Sequence, residues 1–211
     1  MTDTFWAGPL AALAVGYLLG AIPFGLLLTR AAGGGDLRAI GSGNIGATNV
    51  LRTGNKPLAA ATLLLDAAKG AVAILLAAHL LPRAFGLAGD PVVAASWGNL
   101  AAIGAFFGHL YPVWLHFRGG KGVASLLGIA LALEPVTGLV FAGVWIGAML
   151  LTRFSSVGGM AAAVVLPVAA AVGDRFDLVL LFLAMAVVVV WKHGGNIARL
   201  IDGTEPKIGR R

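Results

Sequence analysis

Residues 57–81 read PLAAATLLLDAAKGAVAILLAAHLL. At about 1.5 Å of rise per residue, such a helix crosses the ~30 Å hydrocarbon core of a bilayer. A helix that is apolar all round belongs in lipid or in a large core. Asp66 and Lys69 interrupt the run. Intramembrane charges are functional candidates by default, yet three residues apart they share a helical face and can neutralise each other. The sequence leaves both readings open.

Six more apolar runs lie around this one, at about 4–29, 92–113, 122–133, 136–151, 157–173 and 178–191. The first follows Met-Thr-Asp-Thr rather than a basic leader and is too long for a signal peptide, so it is expected to be a span. Runs 122–133 and 136–151 are short and are punctuated by Glu134-Pro135, which fits a tight hairpin or a re-entrant pair. The expectation is an all-α polytopic bundle of seven transmembrane helices, with five spans as the fallback, forming a single integral membrane domain over 1–211.

Composition supports this. Of 211 residues, 59% are hydrophobic and only 11% charged, with 31 glycines, 9 prolines and no cysteine. Mean hydropathy is +0.92. A soluble domain would lack the polar residues to coat its surface. Disorder requires low hydrophobicity, and disulfide, thiol or cysteine–metal chemistry requires cysteine.

The net charge of +6 is unevenly placed. Arg83 and Arg175 alone fall in one set of loops, Lys69 lies in a span, and every other Lys and Arg falls in the opposite set. Basic residues stay in the cytoplasm, so the amino terminus is expected outside and the carboxyl tail inside. The same inner loops hold dense clusters of Gly, Ser, Asn, His and Arg, whereas the outer loops are short and plain. An anchor would not need that asymmetry; chemistry at the cytoplasmic face would.

The first inner cluster is Gly41-Ser42-Gly43-Asn44-Ile45-Gly46-Ala47-Thr48-Asn49, followed by Arg52 and Lys56. Glycines let backbone N–H groups converge on an anion, hydroxyl and amide side chains add donors, and Arg52 adds charge. The G-x-G-x-x-G pattern with Asp66 further on is not a dinucleotide site, because a span rather than a strand precedes it. The second cluster runs from Gly108-His109 through Arg118-Gly119-Gly120-Lys121-Gly122 to Val123-Ala124-Ser125. It offers another anion cradle at a helix start, with Lys121 as the point charge. His116 fits interfacial packing beside Tyr111 and Trp114, and His109 fits either role. The third cluster runs from Trp191-Lys192-His193 through Asn196-Ile197-Ala198-Arg199 to Glu205-Pro206-Lys207-Ile208, with His193 and Asn196 three apart. A histidine and an amide at a membrane boundary suit proton handling or phosphate contact, and Glu205 suits orienting a basic partner. A smaller piece, Arg153-Phe154-Ser155-Ser156, puts two hydroxyls at a helix start, and spacing does not separate them.

The four histidines are not in ligand spacing, and neither G-x-S-x-G nor H-x-x-x-x-D occurs. No metal and no cofactor is called for. Several phosphate-sized cradles at one membrane face point to phosphorylated ligands, at least one with an acyl tail. That tail is expected to run between spans, where small residues leave grooves. A transporter or exchanger of a phosphorylated solute is the alternative, but the polar groups sit at one face rather than the midplane. A scaffold for anionic lipid is a third reading.

Together the three clusters resemble the cytoplasmic motifs of the acyl-phosphate:glycerol-3-phosphate acyltransferase family (PlsY type) of bacteria. The match runs through Gly41–Asn49 with Arg52 and Gly54-Asn55-Lys56, then Gly108-His109 through Arg118-Gly-Gly-Lys-Gly-Val-Ala124, then His193, Asn196 and Gly203-Thr-Glu-Pro-Lys-Ile208. Gly194-Gly195 stands where bulkier, charged residues are expected. The resemblance implies a monomeric, multi-pass enzyme of the bacterial inner membrane with its active site on the cytoplasmic face. It would move a fatty acyl group from acyl phosphate to glycerol 3-phosphate, giving lysophosphatidic acid and phosphate, the first step of phospholipid synthesis. His193, Asn196 and Lys121 would be catalytic. Ser42, Gly43, Asn44, Gly46, Thr48 and Asn49 would cradle one phosphate, that of the acyl phosphate. Arg52, Arg118, Gly120, Ser156 and Glu205 would complete substrate binding. The base would be His193 or a substrate phosphate oxygen.

Overall fold

The computed structural model describes residues 6–40 and 43–209. Ser42, placed in the first cradle, therefore lies outside the described residues, as do Gly41, the Met-Thr-Asp-Thr start and the terminal Arg210 and Arg211. The described residues contain helices and no strand. In chain order these are α1 (Ala7–Gly20), α2 (Phe24–Ala31), α3 (Ala47–Arg52), α4 (Lys56–Leu75), α5 (Leu81–Ala84), α6 (Pro91–Leu110), α7 (Val123–Leu133), α8 (Pro135–Thr152), α9 (Ser155–Val172), α10 (Phe176–Lys192) and α11 (Gly194–Ile201).

Local chemistry sets many of the boundaries. Asn55, Asp90 and Glu134 cap α4, α6 and α8 by accepting N–H bonds from the first turn, each with a proline just inside the helix. Pro23 separates α1 from α2. Leu76–Leu80 forms a π turn that joins α4 to α5 ahead of Pro82.

All seven expected apolar segments are helical. Five stretches have the length and composition of a span: Ala7–Ala31, Lys56–Ala84, Pro91–Leu115, Pro135–Thr152 and Ser155–Val172. Phe176–Lys192 with Gly194–Ile201 makes a sixth, bent by 54°. Val123–Leu133 is apolar but shorter. Of the doubtful pair, 136–151 is thus full length and 122–133 is not. Large apolar side chains such as Leu151 (88% exposed) stand on the outer surfaces, as expected where lipid is the solvent.

The chain divides into two compact units, 1–133 and 134–211. In the first, α1 packs along α6 and α4 along α7. Small residues make both seams. A Cβ on Gly16 or Gly20 would overlap the carbonyls of Ala101 or Ala105, and one on Gly104 or Gly108 would overlap those of Leu13 or Tyr17. Two small-x-x-x-small stripes therefore bring the α1 and α6 backbones into contact. Gly128 likewise meets the Ala67 carbonyl across α4 and α7. In these seams the small residues close the space that the sequence was expected to leave open for an acyl tail. Tyr17 donates to the Tyr111 carbonyl (2.8 Å) and Trp114 to that of Ala21 (2.7 Å), which pins the loop after α6 to the end of α1.

In the second unit α9 packs against both α8 and α10 around buried Phe141, Leu166 and Phe182. At one end Arg175 clasps Glu134 (2.9 Å) and Asp177 (2.8 Å). At the other end the α8–α9 turn, the end of α10, α11 and the tail come together. Ile208 donates its N–H to the Arg153 carbonyl (2.8 Å), Arg153 donates back to the Ile208 carbonyl (3.2 Å), and the Lys207 ammonium lies 5.5 Å from the Phe154 ring centre.

Candidate functional site

The polar groups at this end of the second unit converge on Glu205. One carboxylate oxygen accepts from Ser156 Oγ (2.8 Å) and Asn196 Nδ2 (2.6 Å). The other accepts from Arg199 Nε (2.8 Å). Glu205 is 8% exposed. Burial pushes its carboxyl up, but the hydrogen bonds from Asn196, Ser156 and Arg199 and the Arg199 charge outweigh burial and hold it below the usual glutamate range. Glu205 is therefore an acceptor of donors rather than a ligand for an anion. It orients the basic partner expected of it, Arg199, and two neutral groups as well. The sequence alone assigns Arg199 no role; the acid six residues beyond it is the one signal there.

His193 sits where α10 ends and α11 begins. Its Nδ1 lies 2.7 Å from the Val189 carbonyl, an acceptor only, so Nδ1 carries a proton. In the neutral ring the lone pair is then on Nε2, the form a general base requires. The His193 carbonyl receives the N–H groups of Asn196 (2.8 Å) and Ile197 (2.9 Å), which starts α11. Ser156, His193 and Asn196 are all buried, whereas Ser155 is only half-buried. No side chain caps α9 at Phe154, so the positive end of that helix opens at the two serines.

In the first unit the cradle after α2 is shaped by Asn49. Its side chain is 1% exposed, and Nδ2 donates to the carbonyls of Leu37 (3.0 Å), Ile40 (2.9 Å) and Asn44 (2.8 Å). Asn44 Oδ1 accepts the Gly46 N–H (3.0 Å), and Gly43 takes a positive φ of 68°. Asn49, expected among the phosphate contacts, spends its amide on the loop's own carbonyls. Thr48 and Arg52, four apart on α3, are exposed on the same face of the helix.

The Gly119–Gly122 loop lies on the end of α6. Gly119 donates to the Leu110 carbonyl (3.1 Å) and Gly120 to that of His109 (2.9 Å). A Cβ on Gly120 would overlap the His109 ring. Lys121 is half-buried, Arg118 and His116 are exposed, and His109 is buried. Among the described residues no group of three His, Cys, Asp or Glu side chains could hold a metal ion.

The sequence profile described as Glycerol-3-phosphate acyltransferase matches residues 10–203. A glycerol-3-phosphate acyltransferase of Mesorhizobium japonicum is 53% identical over 204 residues, covering 97% of this chain and 98% of that protein. One from Brucella ovis is 54% identical over 202 residues, covering 96% and 94%. Among solved structures, the fold resembles PlsY (YgiH), an integral membrane glycerol 3-phosphate acyltransferase, in its glycerol 3-phosphate form. That match has a TM-score of 0.82 and 33% identity, and covers 95% of this chain and 96% of the other. The lysophosphatidic acid form of PlsY matches with a TM-score of 0.80 at 32% identity, covering 95% of each. The chain is a multi-pass membrane protein and belongs to the glycerol-3-phosphate acyltransferase family of the PlsY kind.

Proposed function

We propose that this chain transfers a fatty acyl group from acyl phosphate to the primary hydroxyl of sn-glycerol 3-phosphate. The products are 1-acyl-glycerol 3-phosphate and inorganic phosphate. The observation that carries this reading is the Glu205 hub, which fixes Ser156 and Asn196 beside a histidine whose neutral ring bears its lone pair on Nε2.

The chemistry asks for little more. An acyl phosphate is a mixed anhydride and already activated, so no covalent enzyme intermediate is needed. The hydroxyl oxygen bonds to the carbonyl carbon, and the bond from that carbon to the phosphate oxygen breaks. The hydroxyl proton goes to His193 Nε2 or to a phosphate oxygen of the substrate. The main tasks are holding two anions in reacting geometry and stabilising charge on the carbonyl oxygen and the leaving phosphate. In this reading Gly43, Asn44, Gly46 and Thr48, with Ser42, serve the donor phosphate on a loop shaped by Asn49. Arg52, Arg118, Lys121, Ser156 and Asn196 serve glycerol 3-phosphate, with Gly120 leaving the backbone room that loop requires.

The chain works as a monomer of the bacterial inner membrane. In this reading seven helices cross, α7 being shorter than the rest, with the amino terminus outside and the basic loops, and so the site, on the cytoplasmic face. The uneven placement of Lys and Arg supports that orientation. Purified protein given acyl phosphate and glycerol 3-phosphate is expected to release phosphate and form the monoacyl product. Transport of glycerol 3-phosphate into vesicles without phosphate release would replace this reading with the exchanger.

A further inference from the structure

Inside the first unit lies a charged cluster that the proposed chemistry does not use. Asp66 and Lys69 of α4 are 2% and 4% exposed and pair at 2.7 Å. Lys69 Nζ also donates to the Ile22 carbonyl (2.8 Å), at the break between α1 and α2, and stands 5.8 Å from the Phe24 ring centre. On the far side, Asp66 Oδ1 is 3.7 Å from His109 Nδ1 on α6. The Asp66 carbonyl accepts from Ser125 Oγ on α7 (3.1 Å).

Ion pairs inside a membrane segment are costly and seldom kept for stability alone. Asp66 reaches residues on both sides of the Gly119–Gly122 loop, His109 before it and Ser125 after it. His109 precedes the loop, receives the Gly120 N–H on its carbonyl and lies against Gly120 with its ring. Ser125 follows the loop in the first turn of α7. The carboxylate of Asp66 faces one flank and its carbonyl holds the other. Glycine at 119 and 120 permits that contact, because a Cβ at either would overlap His109.

We propose that Asp66, Lys69 and His109 are positioning residues that hold the Gly119–Gly122 loop in register and so set the Lys121 ammonium on its substrate phosphate. This rests on Lys121 binding glycerol 3-phosphate, as proposed above. Removing one partner of a buried pair strands a charge and risks misfolding. The test therefore uses the neutral pair Asp66→Asn with Lys69→Gln, and separately His109→Gln, in full-length protein in lipid nanodiscs. Hydrogen exchange at the Gly119 and Gly120 amides should quicken by about tenfold, as expected when the buried charged group against His109 goes. Exchange in Ser155–Val172 should not change. The KM for glycerol 3-phosphate should rise by about tenfold, with kcat falling by less than about threefold.

Loop amides that exchange at the wild-type rate in both variants overturn the proposal. So does loosening of α4, α6 and α7 to the same degree as the loop, with kcat falling as far as KM rises, because that is helix packing alone. The exchange measurement needs no turnover. If the wild-type protein releases no phosphate, acyl transfer fails as a reading while the exchange data still decide whether the loop is held by this cluster.

Discussion

Asn49 and Glu205 are both buried, and each gathers hydrogen bonds on its side chain, with opposite results. Asn49 gives its amide to three backbone carbonyls. The loop's acceptors are thereby turned inward, away from an incoming anion. Glu205 takes hydrogen bonds from three side chains and leaves the backbone to fold without it. One hub shapes a surface, and the other aims functional groups. The first should govern how well an anion binds, and the second how fast bound substrate reacts.

That contrast is open to direct attack. Glu205→Ala removes the acceptor for Asn196, Ser156 and Arg199 together, and kcat should drop by about a hundredfold, given the worth of hydrogen bonds to a charged group. Glu205→Gln keeps the shape and should recover part of that loss. If Glu205→Ala instead raises KM at constant kcat, the carboxylate is part of binding and the contrast breaks. Next in size, Asn49→Ala should raise the KM for the proposed acyl phosphate donor by about tenfold with little change in kcat. Asn49→Asp should be worse, because a carboxylate would face three carbonyls.

A smaller effect concerns acid. Glu205 titrates lower in the folded protein than in the unfolded chain, so the unfolded state takes up protons first as pH falls. Its contribution is complete above the ordinary glutamate range and is lost as pH drops through the depressed folded value. The thermal midpoint of the detergent-solubilised wild type should fall across that window, and Glu205→Gln should flatten the fall. Smallest of all, Ser155→Ala should leave turnover within about twofold, whereas Ser156→Ala should not, as expected if the hydroxyl held by Glu205 is the one that is aimed. Equal losses at the two serines would blunt the distinction between aimed and merely neighbouring groups.

Much of this was legible in the residues. Apolar runs wrote the helices, and Glu134-Pro135 marked the break between two of them; the caps at Asn55 and Asp90 emerged only from the structure. The short run 122–133 remained short, because no local rule could lengthen it. The hubs were not legible, for a physical reason. Ser156 and Glu205 are 49 positions apart, and a hydrogen bond across that distance leaves no periodicity to read. Ser155 and Ser156 differ by about 100° around a helix, which only the packing of α9 resolves. Asn49 has the composition of a ligand contact. Whether its amide meets a ligand or the backbone depends on the path of residues 37–44, which glycine-rich sequence does not dictate. Asp66 and Lys69 showed as neighbours on one face, but His109 completes the group from a different helix.

The seam between α1 and α6 has its own consequence. Backbones that touch through Gly16, Gly20, Gly104 and Gly108 leave no slot for a hydrocarbon chain between them. A fatty tail must find its channel along another side of the molecule, and selectivity for tail length will be written there. Side chains enlarged along α1 and α6 would then pry the bundle apart without altering which lipids are made, whereas the residues that discriminate between short and long tails await discovery on the remaining helices.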